Sequence, residues 1–211
     1  MKIALFGASG NIGKRIGAEA LERGHEVTAL VRRPSKSENR RMHAICTDIT
    51  HVDAVIKAVT GYDAVINAVS PAGNASGDAM LVQTAKALLE GLPRANVRRL
   101  IIVGGAGSLE VVPGQQLVDT PEFPAAWKGI ALAHRDAMQV YLSTKDLDWT
   151  YVSPAAFIEP GSRTGKFRTG SDKLIVDGKG KSAISMEDFA VLILDELEKP
   201  KAIRQRLTAA Y

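Results

Sequence analysis

Lys2-Ile3-Ala4-Leu5-Phe6-Gly7-Ala8-Ser9-Gly10-Asn11-Ile12-Gly13, near the N-terminus, has the form of a strand, a glycine turn and the start of a helix. Lys2 to Phe6 is almost wholly apolar, as expected of a strand buried on both faces. Asn11 to Arg23 then carries Ile12, Ile16, Ala20 and Leu21 along one side of a helix, with Gly24 as its stop. Between them stand Gly7, Gly10 and Gly13. A turn of this kind lets the chain reverse tightly, lets backbone come close to a pyrophosphate, and packs helix near strand. The backbone N–H groups at the positive helix end then meet the phosphates. The spacing, G-x-x-G-x-x-G, is one residue longer at the front than the common dinucleotide fingerprint. A purely structural turn is the rival reading; strand before and helix after favour the nucleotide.

The same alternation continues outward. Glu26 to Val31, His43 to Cys46, Asp63 to Val69, Arg99 to Val103 and Trp149 to Val152 read as further strands, with Ile203 to Ala209 as a last one. Thr50 with Asp53 marks a helix start, Ala79 to Leu92 a second helix, and Thr120-Pro121-Glu122 the opening of a long one reaching about Lys145. Ser185-Met186-Glu187-Asp188 opens the final helix, which ends before Pro200. Repeated βαβ units predict an α/β Rossmann fold, a parallel sheet with helices on both faces. The chain is expected to be one domain, 1–211, with a small substrate-side segment at 154–211. Within that segment Gly161 to Lys181, rich in Gly, Lys, Arg and Ser, reads as either an ordered wall or a mobile lid.

Composition narrows the function. With 45% hydrophobic and 24% charged residues the chain is ordinary globular protein, neither disordered nor coiled coil. The lone Cys46 forms no internal disulfide, excludes a cysteine metal cage and fits a reducing compartment; no metal site is expected. No apolar run reaches bilayer length, and the N-terminus meets glycine too soon for a signal peptide, so a cytoplasmic protein with no membrane partner is expected. A net charge of +4, spread over pairs such as Arg32-Arg33, Arg40-Arg41 and Arg98-Arg99, makes no nucleic-acid face.

The second strand ends at Val31-Arg32-Arg33, where an NAD site would place an acid for the ribose hydroxyls. Two guanidiniums there suit a 2′-phosphate, gripped through paired charge-assisted hydrogen bonds. The expected cofactor is therefore NADP(H) over NAD(H), the rival being two solvated loop arginines. By the logic of the fold, Gly7, Ser9, Gly10, Asn11 and Ile12 would hold the pyrophosphate and Asp48 and Ile49 would flank the adenine. Ala68, Val69 and Ser70 would pass the ribose and nicotinamide, and Gly104 and Gly105 would close the far end.

Three segments together resemble the atypical short-chain dehydrogenases: Gly7 to Gly13, Val31-Arg32-Arg33-Pro34, and Val103-Gly104-Gly105-Ala106-Gly107-Ser108-Leu109-Glu110. Within these the chain is similar to the bacterial NADH-flavin reductase group, with NAD(P)H-binding proteins of the biliverdin/flavin reductase type as relatives. Asp148-Trp149-Thr150-Tyr151-Val152-Ser153-Pro154, Arg163-Thr164-Gly165 and Leu197-Glu198-Lys199-Pro200 extend the likeness over essentially the whole chain. The resemblance implies dinucleotide-dependent reduction of a flavin (FMN, FAD or riboflavin) or a quinone-like planar acceptor by direct hydride transfer. The group's name says NADH, whereas Arg32 and Arg33 point to NADP(H).

Short-chain dehydrogenases commonly use a Tyr-x-x-x-Lys pair as proton donor. Tyr141-Leu142-Ser143-Thr144-Lys145 has that spelling, but it lies at the far end of its helix; the family position falls near Trp127 to Ala131. Tyr141 is therefore read as packing. Ser108 and His134 remain as polar candidates beside the acceptor, against ordinary loop and helix roles. Phe123, Trp127, Pro154 and Phe157, with Ala155, are candidates for an apolar acceptor wall, against core packing. Two other functions compete: an NADP(H)-binding redox sensor without turnover, and a sugar-nucleotide epimerase or dehydratase. The expected partner is a small-molecule acceptor, and the expected assembly a monomer or homodimer.

Overall fold

The computed structural model describes residues 1–33, 42–71 and 77–211. In chain order the elements are β1 (Lys2–Phe6), α1 (Asn11–Glu22), β2 (Glu26–Val31), β3 (His43–Cys46), α2 (Val52–Val59), β4 (Ala64–Asn67), α3 (Gly77–Arg94) and β5 (Arg99–Val103). There follow β6 (Glu110–Val112), β7 (Gln115–Gln116), a 3₁₀ turn (Leu117–Asp119), α4 (Ala125–Leu142), β8 (Asp148–Ser153), β9 (Phe157–Glu159), β10 (Arg168–Gly170), β11 (Ala183–Ser185), α5 (Met186–Glu198) and β12 (Gln205–Ala210).

Eight strands form one sheet in the order β10-β12-β8-β5-β4-β1-β2-β3, parallel throughout except for the β10 edge. Its central strands are apolar on both faces because helices cover both. On one face α1 and α5 pack Ile16, Ala20, Phe189 and Ile193 against Ile3, Leu5, Ile66, Ile101 and Val152. On the other, α2, α3 and α4 pack Val55, Leu88, Leu92, Met138 and Tyr141 against Phe6, Leu30, Val65, Ile102 and Tyr151. The alternation along each strand thus becomes two cores, and the sheet is a Rossmann sheet. Its order reverses between β1 and β4, so a crevice opens at their carboxyl ends, where this architecture takes ligands. Among the described residues no helix is long and apolar enough to cross a membrane.

Two helix starts differ from the sequence reading. The long helix begins at Ala125, not at Thr120-Pro121-Glu122. The Thr120 hydroxyl donates to the Leu117 carbonyl at 2.9 Å and so does not cap. Phe123 precedes Pro124, whose ring excludes it from the helical region and delays the start. The helix ends at Leu142, three residues short of Lys145. Thr50 does not cap α2: its N–H and hydroxyl both bond the Asp48 carboxylate, and His51 occupies the cap position. At α5 the expectation holds, with the Ser185 hydroxyl accepting the Asp188 N–H.

Candidate functional site

The cleft between β1 and β4 is lined by Phe6, Gly7, Ser9, Gly10, Leu30, Val31, Arg32, Thr47, Ile49, Ala68, Val69 and Ser70. Local sterics create it. A β-carbon on Gly7 (φ +77°) would lie 2.5 Å from the Ala68 carbonyl carbon and oxygen, so the β1 and β4 ends touch there only through glycine. A β-carbon on Gly13 would lie 2.1 Å from the Gly7 carbonyl oxygen, so α1 begins directly against the turn.

Gly10 is the residue before α1 and carries no capping side chain. Its carbonyl accepts from Lys14, and its own N–H is spent on the Gly7 carbonyl at 3.0 Å. The first-turn N–H groups of Asn11 and Ile12 therefore meet no capping side chain, at the positive end of a twelve-residue helix. An open backbone cradle of this kind fits a pyrophosphate.

Arg32 lies on the cleft wall at the end of β2, and its carbonyl accepts from the Cys46 thiol at 3.3 Å. Arg33 is exposed just beyond the wall, whereas Pro34 and the pair Arg40-Arg41 lie outside the described residues. Among the described residues no Asp or Glu lines the cleft. Asp48, expected at the adenine, is not among the residues that line the cleft. Its carboxylate is bent onto the Thr50 hydroxyl (2.7 Å) and N–H (2.9 Å), which hold it below the usual carboxylate range. Ile49 does line the cleft, beside Thr47, and is buried. The sequence reading also missed Phe6, Leu30 and Val31 as wall residues; being strand termini, they carried only a core signal. Asn11 and Ile12 contribute through backbone, since the Ile12 side chain packs against the core.

Beyond β4, Gly104 and Gly105 leave the neighbouring strand β5. A β-carbon on Gly104 would strike the Tyr151 ring at 2.0 Å, and one on Gly105 would press on His134 at 3.2 Å. His134, on α4, meets the Ser70 hydroxyl at 3.5 Å, and its carbonyl accepts from the Tyr151 hydroxyl at 2.9 Å. Burial pushes the imidazole down to about 4, so at neutral pH it is uncharged. Ser70, Gly105 and His134 are thus brought together.

Ser108 is not brought there. It is 5% exposed, and its hydroxyl and carbonyl both accept from the buried Arg206 guanidinium, at 3.0 and 2.8 Å. That pairing spans 98 residues and has no signature in sequence. Tyr141 is 1% exposed, with its ring 6.2 Å from that of Tyr151, and Lys145 lies beyond the helix, exposed. The tyrosine and lysine therefore form no proton-donating pair.

Of the wall candidates, Trp127 is 64% and Phe157 63% exposed, Phe123 is half-buried and Pro154 buried. α4 leads back down to the start of β8, so Trp127, near its N-terminus, stands at the carboxyl edge of the sheet. Phe157 follows the β8 end at that same edge. β9 then pairs with β11, which leads into α5 on the opposite face from α4. The two exposed aromatic rings thus flank the edge from its two sides. Among the described residues no group of three or more His, Cys, Asp or Glu is placed to hold a metal.

A family model described as NAD(P)H-binding matches residues 7–200. Three solved structures are similar over the whole chain. A protein of Burkholderia pseudomallei named a "putative exported protein" is 51% identical (TM-score 0.92, 100% of each chain). A "putative epimerase" of Bacteroides thetaiotaomicron is 39% identical (TM-score 0.90, 100% of this chain and 96% of that one). A "putative NADH-flavin reductase" of Streptococcus pneumoniae is 34% identical (TM-score 0.89, 100% and 99%). One backbone carries three different names, so fold alone does not assign the reaction, and the site must.

Proposed function

The chain belongs to the NAD(P)H-binding family, and from that premise we propose that it is an NADPH-preferring oxidoreductase reducing a flavin or quinone-like planar acceptor. The observation that carries this reading is the cleft itself: a glycine cradle with helix N–H groups, Arg32 on the wall and, among the described residues, no carboxylate. Each charge-assisted hydrogen bond to a 2′-phosphate contributes roughly 1.5–3 kcal/mol. One or two of them would favour NADPH over NADH by roughly ten-fold to a few hundred-fold.

When bound, NADPH supplies a hydride from its nicotinamide, the acceptor gains two electrons and one proton, and NADP⁺ remains. The chain's own part is orientation and exclusion of water. Ala68, Val69 and Ser70, at the end of β4, would hold the nicotinamide, with His134 and Gly105 closing the far side. Trp127 and Phe157 offer aromatic faces on which a planar acceptor stacks. A neutral His134 is no acid, and the Ser108 hydroxyl is committed to Arg206, so the proton comes from solvent. An epimerase or dehydratase needs a tyrosine that can ionise at the site; Tyr141 is sealed in the core, where burial pushes its hydroxyl up. We also read the chain as a single domain, 1–211, in the cytoplasm, with neither nucleic acid nor membrane as partner.

Nicotinamide absorbance, followed with FMN, riboflavin and a small quinone in turn, tests the proposal. Acceptor-dependent loss of NADPH, faster than that of NADH, is the expected result. Tight NADPH binding with no turnover on any of the three would overturn the enzyme reading in favour of a sensor.

A further inference from the structure

Arg163-Thr164-Gly165 plays no part in the cofactor cleft, yet the segment 161–165 is tied down more densely than any turn requires. Its anchors come from two helices. From α5, Glu187 accepts the Gly161 N–H at 2.7 Å, and Asp188 accepts the Thr164 N–H (2.7 Å), the Thr164 hydroxyl (2.6 Å) and the Gly165 N–H (2.7 Å). The Ser185 hydroxyl donates to the Ser162 carbonyl at 2.8 Å. From α1, Glu19 takes both Nε and Nη2 of Arg163, at 2.7 and 2.8 Å. The segment is therefore a fixed strap, which answers the choice between wall and lid for residues 161–165.

Its course gives it a use. Arg15 donates Nε to Glu187 at 2.6 Å and Nη1 to the Asn11 carbonyl at 2.8 Å, in the first turn of α1. Residues 15 and 19 lie one turn apart on one face of α1. The strap thus runs along the helix whose N-terminus forms the cofactor cradle. At its other end it continues from β9, held through Phe157 N–H to the Ser182 carbonyl at 3.0 Å. β9 carries the exposed Phe157 ring.

We propose that Arg163 and Glu187 are positioning residues for the acceptor: they fasten the wall bearing Phe157 to the cofactor helix, so that the two binding surfaces share one rigid frame. The inference rests on the acceptor assignment made above. Arg163 is suited to the task because its fork grips both oxygens of a carboxylate that is itself 8% exposed, a geometry lysine does not reproduce.

The test compares wild type with Arg163→Met, Arg163→Lys and Glu187→Gln. The readouts are NADPH affinity, acceptor KM and kcat, and amide hydrogen exchange across 156–165 with NADPH bound. In Arg163→Met and Glu187→Gln the acceptor KM should rise roughly 5- to 30-fold, the equivalent of losing one strong anchor. NADPH affinity and kcat should stay within about two-fold, Arg163→Lys should fall between, and amides 156–165 should exchange faster. A merely structural role would lower stability without splitting KM from kcat. Unchanged acceptor KM and unchanged exchange in the folded variants would overturn the proposal. If wild type binds NADPH but reduces no acceptor, the acceptor reading fails separately. Exchange then still decides, since NADPH should slow amides 157–165 in wild type and not in Arg163→Met. Should Arg163→Met not fold, Arg163→Lys and Glu187→Gln carry the comparison.

Discussion

At the scale of single residues, Gly13 shows how sterics overrule propensity. Alanine would ordinarily gain up to about 1 kcal/mol over glycine inside a helix. Here its methyl would meet the Gly7 carbonyl oxygen at 2.1 Å, backbone that cannot swing aside. Overpacking of that kind costs about 1–3 kcal/mol or more, so Gly13→Ala should lower the melting temperature and weaken NADPH binding together. Thermal unfolding with and without NADPH checks both. His134 supplies a second test. Its folded value, about 4, lies below the ordinary 6.5, so between those limits the unfolded chain binds the extra proton. His134 therefore costs the fold nothing above pH 6.5 and progressively more as pH falls to about 4, by roughly 3 kcal/mol at most. His134→Gln should flatten that part of the stability–pH curve measured by urea unfolding. It should also leave no inflection in kcat/KM missing between pH 5 and 8, because the imidazole is neutral throughout that range.

At the scale of elements, α5 is the keystone, and its bonds were only partly visible in the sequence. The Ser185 cap could be read from Ser-x-x-Asp before an apolar run, but the partners of Asp188 and Glu196 could not. Glu196, 3% exposed, takes the buried Arg99 at 3.1 Å and the Thr150 hydroxyl at 2.9 Å, joining α5 to β5 and β8. Glu196→Gln would strand the Arg99 charge and should cost about 3–5 kcal/mol in urea unfolding. Glu19 and Asp188 set the acid limit of the same region. Hydrogen bonds from Arg163 and then Arg23 outweigh burial and hold Glu19 below its ordinary range. For Asp188, burial alone would raise the carboxyl, and the bonds from Thr164, Gly165 and Tyr211 outweigh it. Folded values below unfolded ones mean stability that is present above the usual carboxylate range and lost as pH falls through the depressed values. Acid should thus loosen 161–165 early, seen as rising hydrogen exchange there before global unfolding.

At the scale of the whole molecule, what the sequence revealed followed burial. β1, β2, β4, β5 and β8 lie between two helical layers, so each carries a mostly apolar run that the sequence reading found, although β4 spans Ala64–Asn67 where Asp63–Val69 was expected. β10 was missed because Arg168-Thr169-Gly170, an exposed edge, has neither an apolar run nor alternation. The glycine turn was legible because its signal is local, three glycines between a strand and a helix. The pairing of Ser108 with Arg206 was not, since contacts between distant segments leave no spacing to read. Light scattering on the purified chain should give a monomer or homodimer, and a higher oligomer would contradict that expectation.

The claim on which the rest depends is that this cleft takes a dinucleotide bearing a 2′-phosphate. Equilibrium titration of NADPH and NADH against wild type and an Arg32→Ala, Arg33→Ala variant tests it most directly. NADPH should bind wild type tighter than NADH by roughly ten-fold to a few hundred-fold, and the variant should lose that preference while holding NADH unchanged. Equal affinities in wild type, or a preference that survives loss of both arginines, would contradict it.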